Sequence, residues 1–359
     1  MGYSAETYMA KIDGDDPSPL SMALASQVII EGGLVAFPTE TVYGLGANAL
    51  NAEAVERIFK AKERPANDPI IVHVDDLDKL ELVARDIPDI AYTLAEKLWA
   101  GALTMVLKRS DLVPDIVTAG QDTVAVRMPA HPVALALIRQ CGVPIAAPSA
   151  NRFSRPSPTS AVHVMHDLFG RVDVVLDGGN TDIGVESSIV DLTGSVPTLL
   201  RPGGISLEEL RRYIPSLAFR PRHILDDELA PAPGTLKKHY SPNADVLVFA
   251  GADNTPVDAV WQAMRKKAQS LLDAGKKVGI MVLDADVLQF EGITAQYVLL
   301  GQSDNAMAAN LFSGMRELDA AELDVIMVQM PEQTGIGLAI RDRLRRAAEG
   351  DIISVPAPD

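Results

Sequence analysis

Six short stretches of this sequence carry side chains suited to anions and small polar molecules. In PTETVYGLG, residues 38–46, an apolar run delivers two hydroxyls (Thr39, Thr41), a carboxylate (Glu40) and a phenol (Tyr43) into a turn. Gly44 and Gly46 let the backbone approach a ligand closely there, although a capped turn after a strand has the same spacing. It is not a phosphate loop: G-x-x-x-x-G-K-[ST] is absent, and GLG lacks the third glycine of a dinucleotide fingerprint. Lys62 and Arg64 stand two apart where Pro65 stops a helical pattern. Such cations suit the negative end of a helix dipole; they equally suit polyphosphate, across which arginine can fork. Ser149 and Asn151 follow an apolar run, the strand end where open α/β sheets place ligand contacts, yet both residue types also favour turns. Arg127 in TVAVRMP alternates with Val124 and Val126 and so does not share their face, which also fits a solvent-facing arginine on a half-buried strand. VESSIVD (185–191) and LLRPGG (199–204) complete the set, the second setting Arg201 before Pro202, Gly203 and Gly204.

Positioning these groups takes a mixed scaffold. Helical spacing predicts helices at 20–31, 51–62, 87–99 and 131–141, with Asn51 as an N-cap. Apolar or alternating runs predict strands at 34–38, 69–74, 103–108, 123–128, 145–148, 172–177, 188–191 and 198–201. Strands and helices mix without a regular βαβ beat, so the expected fold is α/β with both strand directions in one twisted sheet. Residues 220–238, rich in proline, glycine and charge, have the composition of a linker. Beyond it, strands at 246–251, 278–283, 297–300 and 325–330 alternate with helices at 257–274, 306–318 and 337–348. That beat predicts a small Rossmann-like three-layer α/β domain.

The length of 359 residues suits two domains. No run approaches the length of a membrane span, and the polar, acidic first residues do not read as a signal peptide. The single cysteine, Cys141, excludes an intrachain disulfide and any multi-cysteine metal site, and it permits a cytoplasmic location. A net charge of −16 argues against tight non-specific binding of nucleic acid, though a local basic groove is compatible with an acidic protein.

Together, PTETVYGLGANA, Lys62 and Arg64, IVHV (71–74), TVAVRMP, Ser149 and Asn151, ESSIVD and LLRPGG occur in the order found in the YrdC-like threonylcarbamoyl-AMP synthases, which this chain resembles. HYSP (239–242) and GLAIRDRLRRAA (337–348) resemble the long, two-domain form of that family. The resemblance implies a YrdC-like catalytic domain at 18–212, a linker at 213–243 that folds over the active site, and a C-terminal Rossmann-like domain at 244–355. It implies that ATP, L-threonine and bicarbonate or CO2 give threonylcarbamoyl-AMP and pyrophosphate, for threonylcarbamoyladenosine modification of tRNA. By motif match, Lys62, Arg64, Ser149 and Asn151 are the implied catalytic residues. Thr41, His73, Arg127, Ala147 and Ser187 are implied for L-threonine, with Arg127 pairing its carboxylate. Lys62, Arg64, Asp68, Thr123, Ser149, Asn151, Ser157, Arg201 and Tyr240 are implied for ATP.

Mg2+ is expected with ATP and without a dedicated protein site. His163 and His166, three apart on a helical pattern, read as surface residues. The transferase that passes the group to tRNA is a separate protein in this family's pathway, with docking expected to be transient or absent; neither membrane nor stable nucleic-acid binding is expected. One departure concerns Asn67-Asp68-Pro69, where the family commonly has asparagine immediately before the proline. A carboxylate there repels triphosphate unless a metal or backbone contact intervenes. Among other readings, RNA binding calls for a basic face with stacking aromatics, at odds with 5% aromatic content. A carbamoyl transferase of the hydrogenase-maturation type would carry cysteine zinc motifs. A catalytically silent regulator is also compatible. Arg341, Arg343, Arg345 and Arg346 suit either a partner surface or a solvated helix face.

Overall fold

The computed structural model describes residues 6–15, 17, 19–65, 67–219 and 240–357, so the predicted linker at 220–238 lies outside them. The chain divides into two units, Met1–Phe153 with Ser157–Leu236, and Ser154–Pro156 with Lys237–Asp359.

The first unit opens β1 (Tyr8–Lys11), α1 (Pro19–Ile30), β2 (Val35–Phe37), β3 (Gly44–Asn48), α2 (Ala52–Lys62) and β4 (Ile71–His73). It continues α3 (Leu77–Val83), β5 (Ala84–Arg85), α4 (Asp89–Leu98), β6 (Leu103–Arg109), α5 (Asp115–Thr118), β7 (Thr123–Arg127) and α6 (Pro132–Cys141). It closes β8 (Ile145–Ala146), α7 (Ala161–Leu168), β9 (Val174–Asp177), β10 (Ser188–Asp191), β11 (Thr198–Arg201), α8 (Leu207–Tyr213) and β12 (Ala218–Phe219). The strands form one sheet in the order β1-β9-β2-β3-β8-β4-β7-β6-β10-β11-β12, with β5 pairing β6. It is mixed, as expected: β4 and β7 run parallel, as do β6 and β10, whereas β6 and β7, β4 and β8, and β2 and β3 are antiparallel.

Alternation along the central strands separates a core from a ligand face. Val72, Val124, Val126, Met105 and Val190 lie in the main core, each such burial contributing about 1.5–3 kcal/mol. In register between them, Ile71, Val106, Ala125 and Ile189 make a small apolar patch on the opposite face. Local chemistry fixes the flanking helix α2. Asn51 accepts from the backbone N–H groups of Glu53 and Ala54, and the helix ends at Glu63 in a left-handed conformation, φ 56°. Lys62 is thereby its last residue. In β3, a Cβ on Gly46 would lie 2.7 Å from Phe37 and 2.8 Å from Ile145, so the stretch that reads as a turn is a strand whose glycine admits close packing.

The second unit holds β13 (Asp245–Gly251), α9 (Val257–Asp273), β14 (Val278–Val282), a 3-10 turn (Asp284–Phe290) and β15 (Gln296–Leu299). α10 (Asp304–Ala320), β16 (Val325–Gln329), α11 (Gly337–Ala347) and β17 (Ile352–Val355) follow. The five-stranded sheet is wholly parallel in the order β15-β14-β16-β13-β17. Val278, Ile280 and Val282 cluster with Val260, Met264 and Ala268 of α9, while Gly314 of α10 lies against Met281 and Val298. Helices therefore cover both faces. The Rossmann expectation needs one correction: there the first strand lies beside the second, whereas here β16 separates β13 from β14.

Candidate active site

β7 brings Arg127 to the ligand face beside Ala125, with the side chain only 4% exposed, so it is not a solvent-facing arginine. Its Nη2 donates to Glu40 Oε1 at 2.6 Å, its Nη1 to Thr41 Oγ1 at 2.8 Å and its Nε to Gly101 O at 3.2 Å. Three of its roughly five N–H groups are so used. The loop after β2 is held to receive them. Thr39 Oγ1 and Thr41 Oγ1 are 2.8 Å apart, Thr39 donates to Val42 O at 2.7 Å, and Glu40 Oε2 accepts from Ala130 N at 3.0 Å. His73 of β4 is the register partner of Arg127. Burial, with the Arg127 charge, lowers its pKa to about 3, which keeps the ring neutral. Its Nδ1 has no hydrogen-bond partner. Ala147 donates its backbone N–H to Ile71 O at 2.9 Å, next to the apolar patch.

A second group gathers around Asp68. Lys62, 1% exposed, donates from Nζ to Ser149 O at 2.5 Å and Asn151 O at 2.6 Å, so the helix end holds the strand-end loop directly. Arg64 Nη2 donates to Pro69 O at 2.7 Å and pairs with Asp68 Oδ2 at 2.9 Å. Asp68 is fully buried; desolvation pushes its carboxyl above the usual carboxylate range, against the pull of Arg64, Lys62 and Arg201. The same Arg64 Nη2 also donates to the Asp68 backbone O at 3.3 Å, so one arginine holds both the chain and the buried carboxylate, the kind of compensation its position calls for.

Arg201, at the end of β11, joins this group to the ESS segment. Its Nη2 donates to Ser187 O at 2.9 Å and Ser187 Oγ at 3.2 Å, and Ser187 Oγ lies 2.7 Å from Thr104 Oγ1. Gly203 is required here, because a Cβ would lie 2.3 Å from Glu186 O and Ser187 C. Ser157, fully buried, donates to Glu186 Oε1 at 2.5 Å.

Two buried carboxylates outside the motif-implied set, Glu40 and Glu186, thus hold implied site residues in place. Their signal in the sequence was a carboxylate flanked by small hydroxyl residues, in TET and ESS. Thr123 stands at the other end of β7 from Arg127, half-buried. Tyr240 belongs to the second unit, 1% exposed, its ring 5.2 Å from that of Phe312 and 5.5 Å from the Arg343 guanidinium. Arg343 is itself fully buried and Arg346 is paired with Asp342 at 3.0 Å, so that helix is not simply a solvated charged face. His166 is exposed and His163 is half-buried, its Nδ1 accepting from Thr159 N at 3.3 Å and its backbone N–H donating to the Ser160 cap at 3.4 Å. Among the described residues no group of three or more His, Cys, Asp or Glu is gathered to hold a metal ion.

Residues 27–203 match the family described as "Telomere recombination", and residues 205–349 match "Threonylcarbamoyl-AMP synthase, C-terminal domain". A threonylcarbamoyl-AMP synthase of Pyrococcus abyssi is 46% identical over 336 residues, 92% of this chain and 95% of the relative. One of Bacillus subtilis is 40% identical over 351 residues, 96% of each. The crystal structure of P. abyssi Sua5 complexed with L-threonine superimposes with a TM-score of 0.91 at 43% identity, covering 97% of this chain and 100% of that one.

Proposed function

Because the chain belongs to the threonylcarbamoyl-AMP synthase family, we propose that its first unit joins L-threonine, bicarbonate or CO2, and ATP in two stages. In the first, the threonine nitrogen forms a bond to the carbon of CO2 and gives up a proton, leaving a carbamate. In the second, a carbamate oxygen attacks the α-phosphorus of ATP, and the bond to pyrophosphate breaks. The carbamate is already an anion, so the second stage calls for charge neutralisation and in-line positioning more than for a strong base.

The observation that carries this reading is Arg127, which keeps two N–H groups beyond those given to Glu40, Thr41 and Gly101. A fork of that kind suits the threonine carboxylate. Neutral His73, with Nδ1 unpartnered, would meet the substrate's polar groups, and Ser187 and the Ala147 backbone would flank it. Lys62, Arg64, Ser149, Asn151, Thr123, Ser157 and Arg201 form the proposed ATP side, with Asp68 as its internal counter-charge.

Mg2+ is proposed as a companion of ATP, held by phosphate oxygens and water without a dedicated protein site. Bound there, it would neutralise phosphate charge. The downstream transferase is proposed as a separate protein whose docking is transient or absent, and no stable nucleic-acid binding is proposed. No helix among the described residues is long and apolar enough to cross a membrane, and a cytoplasmic location is proposed from the single, buried cysteine. The test is pyrophosphate release from ATP and Mg2+. Release that needs both L-threonine and bicarbonate is expected; release that needs neither would overturn the reading.

A further inference from the structure

The second unit has a cavity of about 230 Å³ at the carboxyl ends of β14 and β16. These neighbours lead in opposite directions: β14 feeds outward to β15, and β16 feeds back across the sheet to β17. The crevice at such a divergence is where open α/β sheets bind ligands. Trp261, Met281, Phe290 and Met330 give it apolar walls. The Trp261 indole is pinned by a 2.7 Å hydrogen bond to Gln329 Oε1, which also lines the cavity.

Its charged lining is wholly acidic: Asp286, Asp304 and Glu332, with no Lys, Arg or His among the lining residues. Arg341 approaches from outside the lining, donating to Pro331 O at 2.6 Å and interacting with Glu332. Three carboxylates disfavour phosphate and carboxylate ligands. A fixed indole beside carboxylates is instead the chemistry that recognises an ammonium group. We propose that this cavity binds a small organic amine with an apolar or aromatic body, of about ten non-hydrogen atoms at interior packing density. The site is separate from the synthase chemistry and does not depend on it.

Phenethylamine is the probe, with phenylacetate as its anionic counterpart, titrated into the full chain while the two tryptophan indole N–H resonances are followed by NMR. Trp99, whose indole donates to Leu103 O in the first unit, serves as the internal control. Saturable movement of the Trp261 resonance alone is expected, at millimolar phenethylamine or below, with none for phenylacetate. The paired variant Asp286→Asn with Glu332→Gln is expected to weaken binding about tenfold or more, the scale of a charge-assisted contact. Val257→Phe, which fills the mouth from an exposed lining position, should do the same without removing charge. A dispersed Trp261 indole resonance before phenethylamine is added reports that the second unit of each variant is folded. No saturable shift, equal binding of phenylacetate, or undiminished binding in Val257→Phe would overturn the proposal. Pyrophosphate release, measured alongside, reports separately on the first unit.

Discussion

Glu40→Gln is the perturbation that most directly interrogates the proposed threonine site. Both carboxylate oxygens are engaged, by Arg127 at 2.6 Å and by Ala130 N at 3.0 Å, and both side chains of the pair are at least nine-tenths buried. Glutamine keeps the shape and removes the charge. Arg127 cannot shed its proton in compensation, so a buried cation is left without its counter-ion. Removing one partner of such a pair costs about 3–5 kcal/mol, and the lower end is expected because Thr41 and Gly101 still accept from the guanidinium. At about 2–4 °C per kcal/mol for a unit of this size, Tm should fall by roughly 6–12 °C. If Arg127 also receives the carboxylate of L-threonine, that ligand replaces the missing charge. It should then bind the variant more tightly than the wild type, and raise the variant's Tm more at equal concentration. Differential scanning calorimetry with and without L-threonine measures both. A variant as stable as the wild type would show that the pair is not a needed counter-ion. A threonine-induced shift no larger than that of the wild type would refute the assignment of Arg127 to the carboxylate.

Lys62→Met removes the ammonium that ties Ser149 O to Asn151 O; threonine-dependent pyrophosphate release should fall by about 10²–10³, the effect of losing one preorganised donor. His73 takes up no proton in the folded protein until about pH 3, whereas the unfolded chain binds one near pH 6.5. Its stabilising share is thus present above the unfolded value and is lost as pH falls toward the folded one. His73→Gln should flatten the stability–pH slope below about pH 6 by roughly 1.4 kcal/mol per pH unit, as read from urea titrations. Gly203→Ala forces a methyl within 2.3 Å of the Glu186 and Ser187 backbone; stability and activity should fall together, by about 1–3 kcal/mol in urea unfolding.

Much of the first unit was legible because its strands announce themselves by alternation. The 123–128 prediction captures Thr123–Arg127, and the inward valines correctly left Arg127 on the other face. The Asn51 cap was legible for the same local reason. What sequence did not disclose depends on partners far away in the chain. Gly44–Asn48 looks like a turn because glycines carry no periodicity; only the rings and methyls of Phe37 and Ile145 explain why Gly46 is small. Tyr8–Lys11 is mostly exposed and is a strand through pairing with β9, an arrangement no local pattern encodes. Glu40 sat in view within TET, yet its role rests on an arginine 87 positions later. The strand order of the second unit was likewise hidden, because the alternation of strands and helices is the same whichever neighbour a strand chooses.

The pairing of site cations with buried carboxylates also bears on how reactants come and go. Arg127 is matched by Glu40 and Arg64 by Asp68, so these two guanidinium groups add little attraction at a distance, while the chain as a whole carries −16. At a distance an approaching nucleotide meets the negative field of the whole chain, which salt screens beyond about 10 Å at 0.1 M, and it is drawn in only at short range, where Lys62, Arg64 and Arg201 gather on one carboxylate. Capture is then helped, not hindered, by ionic strength. The same field speeds the departure of pyrophosphate, the most densely charged product, and so opposes the reverse reaction by shortening the time in which it could occur.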